Sequence, residues 1–188
     1  MNSKALHSSL VWISALLFAT GAFAQTPKAP TAAASPGCTL KQRVGLTDIE
    51  IVYSRPGVKG RKIFGGLVPY GQVWRTGANE ATRISFSGPV KVNGSDVPAG
   101  TYGLFTIPSE KEWTVILNKT PAQWGSFKYD PAADLVRVKT AATSLSEPVE
   151  TFTIDINDIR NDSATLNFIW EKTRVQVNLS IEKTAMQK

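Results

Sequence analysis

Between residues 152 and 181, apolar side chains fall at alternate positions in three separate rows. Phe152, Ile154 and Ile156 form one row, Ala164, Leu166, Phe168 and Trp170 a second, and Val175, Val177, Leu179 and Ile181 a third. Successive side chains of a β-strand point to opposite faces, so such rows describe strands with one face in a core and one in water. A helix would scatter the same residues around its circumference. Ile49, Ile51 and Tyr53 repeat the pattern, and residues 83–87, 90–93, 101–107 and 112–118 continue it. Turn residues punctuate the runs. Asn93-Gly94 predicts a tight hairpin, because both residues accept positive φ. Pro98-Ala99-Gly100 predicts a turn, and Glu171-Lys172-Thr173 a hairpin loop between the last two rows. The expectation is an all-β chain: a single-domain β-sandwich, jelly-roll-like or a partly closed barrel, of about nine or ten short strands. Residues 121–134 are the one longer irregular stretch, with room for a turn of helix, and there are no internal repeats.

The N-terminus reads as an export signal. Lys4 supplies a positive start, residues 10–17 an apolar run, and Ala22-Phe23-Ala24 a small-x-small cleavage pattern, so residues 1–24 are expected to be removed before Gln25. The apolar run is shorter than the ~20 residues that span a bilayer, and no later segment reaches that length, so the mature protein is expected to have no membrane span. Residues 25–37 are rich in Pro, Ala, Ser and Thr and read as a flexible tether. A single domain at 38–184 and a tail at 185–188 complete the expected organisation. Removing 24 of the 188 residues leaves 164, which suits one domain. The location is periplasm or medium.

Chemistry is bounded by what the exported chain lacks. His7, its one histidine, leaves with the signal, which excludes Ser-His-Asp and Cys-His catalysis, histidine-ligated metals and an imidazole switch. One cysteine, Cys38, cannot form an internal disulfide, and reads as a small apolar strand residue or a free thiol. Residues 155–163 are rich in oxygen ligands but lack EF-hand spacing. No phosphate-binding loop, dinucleotide fingerprint or nucleophile elbow is present, so no metal and no cofactor is expected.

One segment breaks the alternation. Residues 53–82 read YSRPGVKGRKIFGGLVPYGQVWRTGANEAT, dense in Gly and Pro. Long ordered loops on sheet frames tend to carry function, the competing reading being a structural crossover between sheets. Between Ile51 and Asn79 there is no acidic residue and there are five basic ones, Arg55, Lys59, Arg61, Lys62 and Arg75. A concentrated positive patch attracts anions; its plainer reading is a solvated rim that keeps a sheet edge from pairing. Trp74 and Arg75 cannot face the same side of a strand. Either Arg75 is drawn inward onto Glu80 as a buried structural pair, or Arg75, Asn79 and Glu80 face a ligand. Trp113 and Trp170 read as core, whereas Trp124 and Tyr70 read as exposed aromatics suited to stacking on a sugar.

The same block, with VPAGTYGLFTIP at 97–108, EWTVILNK at 112–119 and QWG at 123–125, closely resembles an exported bacterial family, domain-of-unknown-function family 2911. The resemblance runs from about Cys38 to Lys183. It implies an exported all-β domain and supplies no catalytic residues to carry over.

The functional reading adopted from sequence is a non-catalytic binding module of the cell envelope. Its candidate ligand-binding residues are Arg55, Arg61, Lys62, Tyr70, Trp74, Arg75, Asn79, Glu80 and Trp124. The expected partner is an anionic glycan, an anionic polymer or an envelope protein, and not nucleic acid. The alternatives are a hydrolase of glycosides or other substrates built on two carboxylates, with Glu80 and Asp130 as the first pair to test, and a purely structural envelope protein.

Overall fold

The computed structural model describes residues 32–181. The expected signal peptide, residues 25–31 of the expected tether and the C-terminal tail lie outside the described residues. Among the described residues nine strands form one antiparallel sheet in the order β1-β2-β3-β6-β7-β8-β9-β4-β5. They are β1 Gly37–Val44, β2 Thr47–Ser54, β3 Thr82–Phe86, β4 Val90–Val92, β5 Ser95–Val97, β6 Gly100–Ile107, β7 Glu112–Asn118, β8 Asp134–Asn157 and β9 Ser163–Ile181. One 3₁₀ turn, Pro131–Ala133, is the helical content of the described residues.

The sheet folds over on itself because one long strand, β8, serves both layers. β8 pairs with β7 through residues 134–141 and with β9 through 142–157. β9 continues onto β4 through Leu179–Ile181 contacts with residues 90–92. Glu171-Lys172-Thr173 is therefore not a hairpin loop, contrary to the sequence expectation. Both flanking apolar rows lie on one strand, β9, which runs on without reversal past register shifts in its β8 partner between residues 144 and 153, and Glu171 takes φ +53° there. A bulge adds a residue without reversing the chain, so the alternation resumes on the far side. The Asn93-Gly94 hairpin forms as read, with φ of +45° and +84° between β4 and β5.

Inward rows from both layers meet in one core. Ile49, Ile51, Ile84, Leu104, Phe152, Leu166, Val175 and Val177 are essentially inaccessible. Tyr53 of β2 bridges the layers: its hydroxyl donates to the carbonyl of Ile154 at 3.2 Å and accepts from the Ile154 N–H at 3.0 Å. Burial pushes the Tyr53 phenol from an ordinary 10.0 to about 12. Its neutral form is thus favoured in the folded chain. The stability this contributes is fully present below about pH 10 and is lost as pH rises towards about 12. Tyr53→Phe is expected to cost about 1–3 kcal/mol at neutral pH, since it strands a buried N–H and C=O. Urea unfolding from pH 8 upward should also show a weaker alkaline loss in the variant. Cys38 lies opposite Tyr53 in the β1–β2 register, half-buried against the core.

Candidate functional site

The 53–82 segment joins β2 to β3, and much of it is a plug. Ile63, Phe64, Val68, Trp74 and Ala78 are buried. Phe64 meets Trp113 at 4.8 Å between ring centroids, and Trp74 packs on Phe152 at 5.0 Å and stacks on Trp170 at 5.9 Å. Trp74 is thus a core residue, not a ligand-facing one, because its apolar ring closes the gap between the layers. Its indole N–H is satisfied by the carbonyl of Gly77.

The basic side chains of this segment do not form one surface. Arg55 donates to the Phe152 carbonyl and the Thr153 hydroxyl, clipping the loop to β8. Arg61 donates to the carbonyls of Val58 and Gly57 within its own turn. Lys62 lines a separate shallow pocket with Tyr70, Glu110 and Glu171, where carboxylates offset its charge. Tyr70 is exposed there.

Arg75 and Glu80 do not pair; no ion pair joins them among the described residues. With Trp74 turned into the core, Arg75 points to the opposite face, its Nη1 3.9 Å from where a Cβ on Gly125 would stand. Its Nε is buried without an acceptor, and desolvation lowers the guanidinium pKa from its ordinary value.

What residues 74–82 build is a strained ledge. Thr76 is fully buried at φ +53°, and Asn79 takes φ +59°. A β-branched residue in the left-handed region is an outlier that costs about 1–3 kcal/mol and persists only when its surroundings over-determine it. Here they do. Trp74 exchanges two backbone hydrogen bonds with Thr106 of β6, the Thr76 hydroxyl donates to that of Thr106, and the Thr82 hydroxyl donates to the Thr76 carbonyl.

The ledge faces a second element, residues 119–133, an Ω-loop closed by Lys119 N–H on the Ala133 carbonyl at 2.8 Å. Buried Asn118 organises its base by bonding Asp134, the Asp130 carbonyl and the Thr120 N–H. The loop roofs a small cluster of Ala81, Phe105 and Ile116 on the outer face of β6 and β7, with Tyr129 packed against it. Ledge and loop are zipped together by Ala81 N–H to the Gln123 carbonyl and Gly125 N–H to the Asn79 carbonyl. Glu80 and Trp124 stand directly opposite in that bridge, so their side chains leave the same face.

That face is a groove in two contiguous lobes of about 390 and 360 Å³, sharing Glu80, Ala81, Arg83 and Trp124. Ser54 and Asn79 extend one lobe and Gln123 the other. Trp124 is 64% exposed, a large indole held out over the groove. Neither the Glu80 nor the Arg83 side chain is engaged by a partner among the described residues. Asn79, by contrast, is fixed, its amide donating to Ser54 Oγ and to the Ser35 carbonyl. Glu80 is the one carboxylate of the lining. Asp130 is outside it, its carboxylate capping the 3₁₀ turn through the Ala132 N–H.

Of the residues singled out from sequence, the groove gathers Asn79, Glu80 and Trp124, and leaves Arg55, Arg61, Lys62, Tyr70, Trp74 and Arg75 elsewhere. Sequence reasoning missed Arg83, Ser54 and Gln123. Part of the signal for Arg83 was present: it precedes inward Ile84 on β3, so alternation alone turns it outward, although only the fold brings it near Glu80.

The architecture defines an open, folded-over antiparallel sheet whose crossover and Ω-loop together shape one groove. The chain matches the family described as protein of unknown function (DUF2911) over residues 35–179, most of its length, and belongs to that family. No curated protein and no solved structure matches it.

Proposed function

We propose that the chain is a non-catalytic binding module exported to the cell envelope, and that it holds its ligand in the Trp124 groove rather than on the basic loop. The observation that carries this is the bridge placing exposed Trp124 opposite unengaged Glu80. An apolar side chain left in water on an ordered loop, beside unpaired polar groups, has the form of an interaction anchor. Hydrolysis of glycosides uses two carboxylates ~5–9.5 Å apart, and the groove lining offers Glu80 alone. Export rests on Lys4, the apolar run at 10–17 and Ala22-Phe23-Ala24.

The test is a glycan-array and envelope-fraction screen of the exported chain, followed by two variants. Trp124→Ala is expected to lower affinity at least about ten-fold. Folding stability should stay within about 0.5 kcal/mol, as for other exposed sites. Arg61→Ala should leave binding unchanged. Equal loss in both variants, or loss in Arg61→Ala alone, would return the site to the basic loop.

A further inference from the structure

Resting on the reading that the Trp124 groove binds ligand, we propose that the ligand is a carboxylate-bearing saccharide. Its ring packs on Trp124, its carboxylate meets Arg83, and a ring hydroxyl donates to Glu80.

Three features of the groove select this class. The first is the exposed indole, an electron-rich face that suits the C–H groups along the flat side of a pyranose. The second is Arg83. Its guanidinium is a planar fork of donors that matches a carboxylate with two parallel hydrogen bonds, and here it has no protein acceptor. The third is Glu80, an acceptor-only group when ionised, which bonds hydroxyl donors and repels anions.

Glu80 and Arg83 together also set the charge the groove tolerates. One cation and one anion in the lining leave it formally neutral. A singly charged carboxylate is balanced by Arg83 and can lie clear of Glu80. A sulfated or phosphorylated polymer brings more negative charge than one guanidinium offsets, and Glu80 opposes it. Lys59, Arg61 and Lys62, which would answer such a polymer, do not line the groove. A neutral sugar would stack on the ring but offer Arg83 only uncharged hydroxyl acceptors, which cannot make the charge-assisted fork. Size agrees: lobes of about 390 and 360 Å³ fall near the lower end of the ~300–1,000 Å³ typical of small-ligand sites, room for a short oligosaccharide.

Calorimetric titration of the exported chain with four probes tests this: trigalacturonate, the matching neutral galactose trisaccharide, a sulfated galactan oligosaccharide free of carboxylates, and penta-glutamate. Trigalacturonate is expected to bind at least about ten-fold more tightly than the other three, a preference set by one charge-assisted contact. Arg83→Gln should erase that preference, a fall of about ten- to a hundred-fold for the uronate with little change for the neutral sugar. Arg83→Lys, which keeps the charge without the fork, should fall between. Trp124→Ala should weaken both saccharides.

If neutral and uronate trisaccharides bind alike, and both binding events vanish in Trp124→Ala, the carboxylate assignment fails while the groove stands as a saccharide site. If the sulfated probe or penta-glutamate binds best, the ligand class is wrong. If no saccharide binds and Trp124→Ala changes nothing in the wider screen, both this inference and the binding reading beneath it fall.

Discussion

Trp74→Ala is expected to destabilise the fold by about 3–5 kcal/mol, the largest single effect anticipated for this chain. Trp74 is 7% exposed and packs against Phe64, Trp113, Phe152 and Trp170. Truncation would remove most of the ring surface and leave a cavity lined by four large aromatics that cannot collapse together without moving both layers. It would also free the Gly77 carbonyl that now accepts the indole N–H, in the turn where Thr76 is already strained. Small domains are stable by only about 5–15 kcal/mol, so a loss of this size is a large fraction of the whole. Chemical denaturation monitored by far-UV circular dichroism measures it. A change below about 1 kcal/mol would mean the crossover is not part of the core.

Gly103→Val is expected to destabilise by about 1–3 kcal/mol and to displace the Ω-loop as well. Gly103 sits on the outer face of β6, between Arg83 of β3 and Asn118 of β7 in the register. A Cβ there would stand 2.8 Å from the Phe105 ring and 2.9 Å from the Thr120 carbonyl, closer than real Cβ atoms come. Phe105 is fully buried and can yield little, so Thr120 and the loop it begins must lift. Trp124 would move with them. The expected signature is a red shift or altered quenching of tryptophan fluorescence, together with weakened ligand binding, in a protein that remains folded. A variant that loses stability but keeps full affinity would uncouple this close approach from the groove.

Most of the strand content was legible from periodicity, because a strand with one wet face advertises itself two residues at a time. Ile49, Ile51 and Tyr53 face inward as alternation requires, and Asn93-Gly94 turns as its tolerance of positive φ allows. The Glu171-Lys172-Thr173 reading failed for a definite reason. A polar interruption between two apolar rows is common to a hairpin loop and to a bulge, and only the pairing partner distinguishes them. β8 is that partner, reaching across both rows.

The candidate site was legible only in part. Trp124 and Glu80 were visible as residues, yet nothing in their sequence separation places them opposite one another. Arg75 next to Trp74 looked like half of a buried ion pair, because a guanidinium drawn inward needs a carboxylate. Instead it was turned to the other face by the ring that fills the core.

By itself, then, the sequence determined that this chain is a β protein, which rows of side chains are buried, where tight turns fall, and that histidine chemistry is absent from residues 8–188. Those are properties of local dihedral preference and of composition. Only the tertiary structure decided that the glycine-rich segment is a plug with scattered cations, and that the ledge at 74–82 and an Ω-loop at 119–133 enclose a groove. Both depend on hydrogen bonds between segments distant in sequence, such as Val58 to Glu150 for the plug and Ala81 to Gln123 for the groove. Neither segment encodes such a contact alone, because its partner is brought into range by the folding of the whole sheet.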